Sequence, residues 1–229
     1  VLQLLSEADH RALQPEIHEV DLAAGEILYE PDHVVDQVWF PNTAVLSVVT
    51  LMADGRTVES DTVGYESVTG AISTLGTSVS VNRTFAQIPG AAVKIAAHAV
   101  RRQANQSAGF RQLLIRHSQA NLAQAHQSVA CNALHGVTQR LSRWLLTSQD
   151  RTASDVVELT QQYLATMVGV QRTTITQALR ELTSMGLVEQ GRRRIKILDR
   201  TGLEATSCEC YEAVRTHFER LIGHAPTGL

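Results

Sequence analysis

Residues 159–198, LTQQYLATMVGVQRTTITQALRELTSMGLVEQGRRRIKIL, constrain this chain more than any other stretch, because each feature in it dictates the next. Leu164, Ala165 and Val168 recur at helical spacing, and Thr160 stands before them where a hydroxyl can cap the first free N–H groups. Gly169 interrupts the pattern where the chain must turn sharply, and glycine takes a positive φ there without a Cβ penalty. A second helix follows, with Ile175, Leu179 and Leu182 at i, i+4 and i+7 as its buried stripe. That leaves Arg172, Thr173, Thr176, Gln177 and Arg180 on the outward face. Gly186 sits after Met185 as a helix-ending glycine, and Leu187, Val188, Ile195 and Ile197 predict two short strands around GRRR. The pattern is helix, glycine turn, helix and arginine-tipped hairpin, a helix-turn-helix followed by a wing.

Charge supports a nucleic-acid reading of this unit alone. Residues 159–200 hold seven Lys or Arg against three Asp or Glu, a local charge of +4 in a chain whose total is −3, so the remainder carries −7. Arg192, Arg193 and Arg194, with Lys196 beyond, are the densest cation cluster, as phosphate neutralisation requires. The residues expected to reach base edges are Arg172, Thr173, Thr176 and Gln177, with Arg172 suited to guanine and Gln177 to the N6/N7 edge of adenine. Thr160, Gln161, Gln162, Arg180, Arg192 and Arg193 are the expected phosphate contacts. A basic amphipathic helix by itself reads equally well as a solvated face. The order and spacing of all the parts together favour double-stranded DNA as the partner.

The same stretch resembles the winged helix-turn-helix of the Crp/Fnr transcription regulators, and the likeness extends over most of the chain. The resemblance implies an α+β fold: an N-terminal double-stranded β-helix (jelly-roll) sensor domain, a long dimerisation helix and a C-terminal winged helix-turn-helix. The expected boundaries are 1–96 for the β sensor domain, 97–135 for the helical linker and dimerisation helix, and 136–229 for the DNA-binding domain. TQRLSRWLL at 138–146 resembles the family's helix after the hinge, which places the hinge near 134–136. The family's second helix opens with an Arg, usually followed by Glu, with a further Arg one turn later. Here Arg172 keeps the first, while Thr173 and Gln177 replace the others, so a different operator sequence is expected. Gln171 stands where the family has a capping serine or threonine, a weaker cap.

The N-terminal third has a β texture of its own. A short helix is expected over 6–13, then strands over 17–22, 26–29, 35–40, 44–51, 56–63, 82–87 and 91–95, with Asp54-Gly55 as a hairpin signal. Short strands at this spacing indicate a sandwich or jelly roll. Cyclic-nucleotide sensors of the family carry Gly-Glu for the ribose hydroxyl and, about ten residues on, Arg-Ser or Arg-Thr for the phosphate. Here Gly70 is followed by Ala71, Arg83-Thr84 remain as the ligand-binding candidates, and Ala125-His126 stand where some relatives contact the base. Cyclic AMP is therefore not the expected effector. Arg83 also reads as an ordinary strand-edge charge, the small-molecule effector is left unknown, and no cofactor is evident.

Between 110 and 132 the chain lacks Pro and Gly, and Ile115, Leu122 and Val129 are spaced by seven with Ser118, Ala125 and Asn132 between them, a heptad seam. In the family this helix forms a parallel dimer interface; the alternative is that the stripe packs only on its own β domain. A homodimer on a pseudo-palindromic operator is expected, with RNA polymerase as a further candidate partner. Cys131, Cys208 and Cys210 are too few and scattered for a disulfide framework, and the family's N-terminal cysteine set for an iron–sulfur cluster is absent. Residues 202–221 read as one helix, on which positions 208 and 210 would point apart, so buried thiols and no metal are expected. His117, His126 and His135 recur every nine residues and so lie on opposite faces of their helix.

Other classes have little support. The sequence has no Walker loop, GxSxG or GxGxxG, nor the His-x-His with following Glu of a cupin-like enzyme. A DNA-binding architectural protein with a degenerate sensor stays open. No run of about 18 apolar residues and no signal-peptide pattern appears, so the expected location is the cytoplasm, away from the membrane. With Val1 in first place, a short N-terminal piece is expected to be missing.

Overall fold

The computed structural model describes residues 1–223. It opens with α1 (Glu7–Leu13), whose N-cap Ser6 accepts from the Asp9 amide at 3.1 Å. Strands β1 (His18–Leu22), β2 (Ile27–Tyr29), β3 (Gln37–Pro41), β4 (Val45–Leu51) and β5 (Thr57–Val63) follow. After them come the short helix α2 (Ala71–Leu75), β6 (Arg83–Ile88) and β7 (Gly90–Ala96). The strands form two antiparallel sheets, ordered β1-β7-β3 and β2-β6-β4-β5. Each expected strand lies within two residues of an observed one.

Period-2 alternation decides what each face covers. From β3 and β7, Trp39 and Ala92 point between the sheets, beside Tyr29, Leu46, Val63 and Ala86. Val38, Phe40, Val93 and Ile95 point the other way, into a second core with Leu13 of α1, Val100 of α3 (Ala97–Gln106) and Phe110 and Leu114 of α4 (Ala108–Leu134). At Asp54-Gly55 the turn forms as expected: Gly55 has φ +83° and the Asp54 carboxylate accepts from the Arg56 amide at 3.0 Å.

Ser107 caps α4 by accepting from the Phe110 amide at 3.1 Å. Its 27 residues make a rod of about 40 Å. One face is buried through Phe110, Leu114, His117, Ala120, Gln124 and Cys131. Ile115, Leu122 and Val129 are instead 39%, 56% and 70% exposed, so the heptad stripe does not pack on its own β domain.

The C-terminal unit contains α5 (Val137–Thr152), β8 (Val156–Val157), α6 (Gln161–Val168), α7 (Arg172–Ser184), β9 (Val188–Gly191), β10 (Arg194–Ile197), α8 (Arg200–Thr206) and α9 (Cys210–Ile222). The expected single helix over 202–221 is broken. Ser207 turns to an extended conformation (ψ 166°) and its hydroxyl bonds back to the Glu204 carbonyl, ending α8 before Cys208. The chain then returns so that α9 lies along α4, with Phe218 edge-to-face on His117 at 6.3 Å. Among the described residues no helix is long and apolar enough to cross a membrane.

Candidate nucleic-acid interface

The Thr160 hydroxyl accepts from the Tyr163 amide at 3.1 Å and starts α6. Gly169 ends that helix at φ +70°, a left-handed conformation that a side chain would strain. α7 starts from Gln171, which makes no side-chain cap bond, and stops before Gly186 at φ +75°. Ile175, Leu179 and Leu182 are fully buried with Leu141, Leu145, Leu146 and Leu164, which fixes the rotation of α7 about its axis. Arg172, Thr173, Gln177 and Arg180 consequently stand exposed.

The wing is better anchored than two strands would allow, because β8 adds a third strand, in order β8-β10-β9. Ile195 and Ile197 face the core while Arg194 and Lys196 face solvent, with Arg192 and Arg193 exposed at the tip. The Thr176 hydroxyl donates to Gln161 Oε1 at 2.8 Å, and Gln161 Nε2 donates to Gln190 Oε1 at 3.2 Å. Thus α7, α6 and β9 are tied together through side chains predicted as DNA contacts. Thr176 is only partly exposed, its hydroxyl already engaged, whereas Thr160, Gln161, Gln162, Arg172 and Arg193 line one groove between the helices and the wing.

Several arginines elsewhere are neutralised locally: Arg83, Arg102, Arg151, Arg200 and Arg215 each pair with a carboxylate. None of Arg172, Arg180, Arg192, Arg193, Arg194 and Lys196 has such a partner within 4.0 Å among the described residues. A surface of six uncompensated cations, beside a helix with a polar outward face, is what a polyanion requires.

A second concavity of ≈ 500 Å³ lies inside the β domain against α4, where the resemblance implies a sensor site. Thr84, Gly70, Ala71 and Ala125 line it. Arg83 is not among its lining residues, because its guanidinium pairs with Glu30 at 2.9 Å; of the two ligand candidates only Thr84 faces the cavity. His117, also in the lining, is a packing histidine: its Nε2 accepts from the Val68 amide at 3.2 Å, and burial lowers its pKa to about 4.

Two groupings escaped sequence reasoning. β5 faces α4 and α5 with acids: Glu59 accepts from Trp144 Nε1 at 3.0 Å and from Ser47 at 2.6 Å, Asp61 accepts from Gln124, and Glu66 just beyond pairs with Arg151 at 2.7 Å. Burial raises the Glu59 pKa and brings that of Asp61 to about 7. Gly64 permits the close approach, since a Cβ there would lie 2.6 Å from the Arg151 stem. Val49 of β4 belongs to the same buried cluster as α6 and α7, and Phe85 meets Tyr163 edge-to-face at 6.2 Å. The other grouping concerns the cysteines, which are free and buried as expected but are not scattered: Cys131, His135, Cys208 and Cys210 place their donor atoms within 4.8 Å of one another. Cys208 precedes α9 rather than lying on it, so the argument that positions 208 and 210 diverge on a helix does not apply. The i, i+4 spacing of Cys131 and His135 on α4 was the available signal.

Residues 139–206 match the family model of the Crp-like helix-turn-helix domain. No curated protein matches the chain. Among solved structures, it is similar to FixK2 from Bradyrhizobium japonicum, with 17% identity, 84% of this chain and 98% of that one covered, and a TM-score of 0.70. It is also similar to a putative transcriptional regulator of the crp/fnr family from Eubacterium rectale, with 17% identity, 88% and 94% covered, and a TM-score of 0.71. A third is the c-di-GMP responsive global regulator CLP of Xanthomonas campestris, with 13% identity, 85% and 100% covered, and a TM-score of 0.69. Residues 139–206 thus form a Crp-like helix-turn-helix domain, and the chain as a whole shares the fold of these Crp/Fnr-type structures.

Proposed function

We propose that this protein is a non-enzymatic, homodimeric, sequence-specific DNA-binding regulator whose operator affinity is set by a small molecule held in the β domain. The observation that carries the reading is the unpaired cation surface around α7, with Arg172 and Gln177 directed outward for base edges and Arg180, Arg192 and Arg193 for phosphates. Dimerisation is supported by the exposed Ile115, Leu122 and Val129 stripe on a helix whose other face is buried. Two copies joined along that seam would present two α7 helices to successive major grooves. Leu122 both lines the β-domain cavity and stands in the stripe, which gives an effector a direct route to the interface. The differential affinity of that effector for two dimer arrangements limits the control it exerts, on a scale of about 1–3 kcal/mol.

Cyclic AMP does not suit the cavity. Ala71 offers no carboxylate to a ribose hydroxyl and Arg83 is committed to Glu30, so the buried sugar and phosphate would lose partners worth several kcal/mol. Selection of bound duplexes from a random pool tests the main reading. Enrichment of a pseudo-palindrome with half-site centres about 34 Å apart is expected. Recovery of unenriched sequence, or of a single half-site bound by a monomer, would refute it.

A further inference from the structure

Cys131 and His135 lie one turn apart at the C-terminal end of α4, and Cys208 and Cys210 flank the start of α9. All three sulfurs are buried. Cys131 Sγ is 3.5 Å from Cys208 Sγ, and Cys210 Sγ is 3.5 Å from His135 Nδ1. Around a tetrahedral zinc ion, bond lengths of about 2.3 Å to sulfur and about 2.0–2.1 Å to nitrogen require edges of roughly 3.8 Å for S···S and roughly 3.5 Å for S···N. These two pairs lie close to those edges and all four donors fall within 4.8 Å of one another, whereas a disulfide, at about 2.05 Å, would leave the other two donors unused.

The surroundings also suit ligands rather than idle thiols. His135 directs Nδ1 at the cluster, while its Nε2 lies 3.3 Å from Glu209 Oε1, the carboxylate–imidazole arrangement that fixes a metal-binding tautomer. Gln127 Nε2 donates to Cys210 Sγ at 3.0 Å, so that sulfur accepts a hydrogen bond as a thiolate does. Arg140 and Arg143 of α5 stand near the thiols and offset the single negative charge of three thiolates around a divalent cation.

We propose that Cys131, His135, Cys208 and Cys210 form a closed Cys3His site for one zinc ion, stapling the start of α9 to the last turn of α4. Soft thiolates and an imidazole in a tetrahedron select zinc over the oxygen-seeking cations, and four protein donors leave no open position, as in a structural site. His135 is the last residue before Gly136 and α5, so the ion fixes the direction in which the long helix hands the chain to the DNA-reading unit.

Metal analysis of the full chain, with X-ray absorption at the zinc edge, tests this independently of DNA binding. About one zinc per chain is expected, with three sulfurs at about 2.3 Å and one nitrogen at about 2.0 Å. After chelation, Co(II) alone should restore the thiolate charge-transfer and ligand-field bands of a tetrahedral site. Cys210→Ser should abolish those bands, and Gln127→Ala, which keeps all four ligands, should weaken zinc binding roughly tenfold. If Cys210→Ser fails to fold, the wild-type cobalt spectrum and absorption edge decide alone. Metal-free protein without a tetrahedral Co(II) spectrum, a Cys131–Cys208 disulfide found by mass, or iron with acid-labile sulfide would each overturn the assignment.

Discussion

Replacing Arg172 and Arg192 separately by alanine distinguishes base reading from phosphate neutralisation on one surface. Arg172 is the first residue of α7, exposed and without an ion pair among the described residues, so its truncation removes the proposed DNA contact without disturbing the fold. A bidentate guanine contact is worth about 1–3 kcal/mol of discrimination, and a symmetric dimer makes it twice. Arg172→Ala should therefore cost about 2–6 kcal/mol on the selected operator, roughly 30-fold to 10⁴-fold, and far less on a scrambled duplex. Arg192 is the better wing position, because Arg193 has φ +59° and its substitution would mix in backbone effects. Loss of one phosphate contact per protomer should weaken both duplexes alike and flatten the slope of log K against log salt by about 1.8. Fluorescence anisotropy with both duplexes over a salt series reads each quantity. Equal weakening of operator and scrambled DNA by Arg172→Ala would remove α7 from the base-reading role, and an unchanged slope for Arg192→Ala would remove the wing from the phosphates.

Replacing Leu122 and Val129 together by Asp should give monomers by light scattering and lower operator affinity about a hundredfold or more, since the second half-site is lost; a persisting dimer would place the interface elsewhere. Asp61, at about 7 instead of 3.8, is protonated in the folded chain when the unfolded chain has already ionised. Stability should thus fall as pH rises between those values and level off above them, and Asp61→Asn should flatten the decline in denaturant midpoints across that window; an unchanged decline refutes the assignment. Gln171→Ser gives α7 a side-chain cap it lacks and should add about 0.5–1 kcal/mol in chemical denaturation. No gain would mean that the first turn of α7 is already satisfied by solvent.

The elements were legible wherever periodicity is local. Ile175, Leu179 and Leu182 set α7, and Asp54-Gly55 set the β4–β5 turn, from spacings that no distant contact alters. Long-range relations were not legible. Glu59 and Asp61 look like the wet face of a strand, yet α4 and α5 cover them, and nothing near residue 60 announces Trp144 or Arg151. Arg83 kept its place in the chain but turned to Glu30, a partner 53 positions away. Cys208 looked helical because the apolar pattern runs through it, and one hydroxyl bond at Ser207 was enough to end α8 and bring that thiol to Cys131.

The presence of Val49 among the side chains that hold α6 and α7 means that this chain is not assembled from interchangeable modules. A chimera that grafted its helix-turn-helix onto another β domain would leave Met167 without the Ser47 and Val49 surface, and a chimera made the other way would leave the Glu59 carboxylate facing no indole. The fusion point that preserves function must therefore be chosen in three dimensions, with β4, β5 and α5 carried across together, and a cut at the hinge between α4 and α5 would divide a structure that is continuous on its other side.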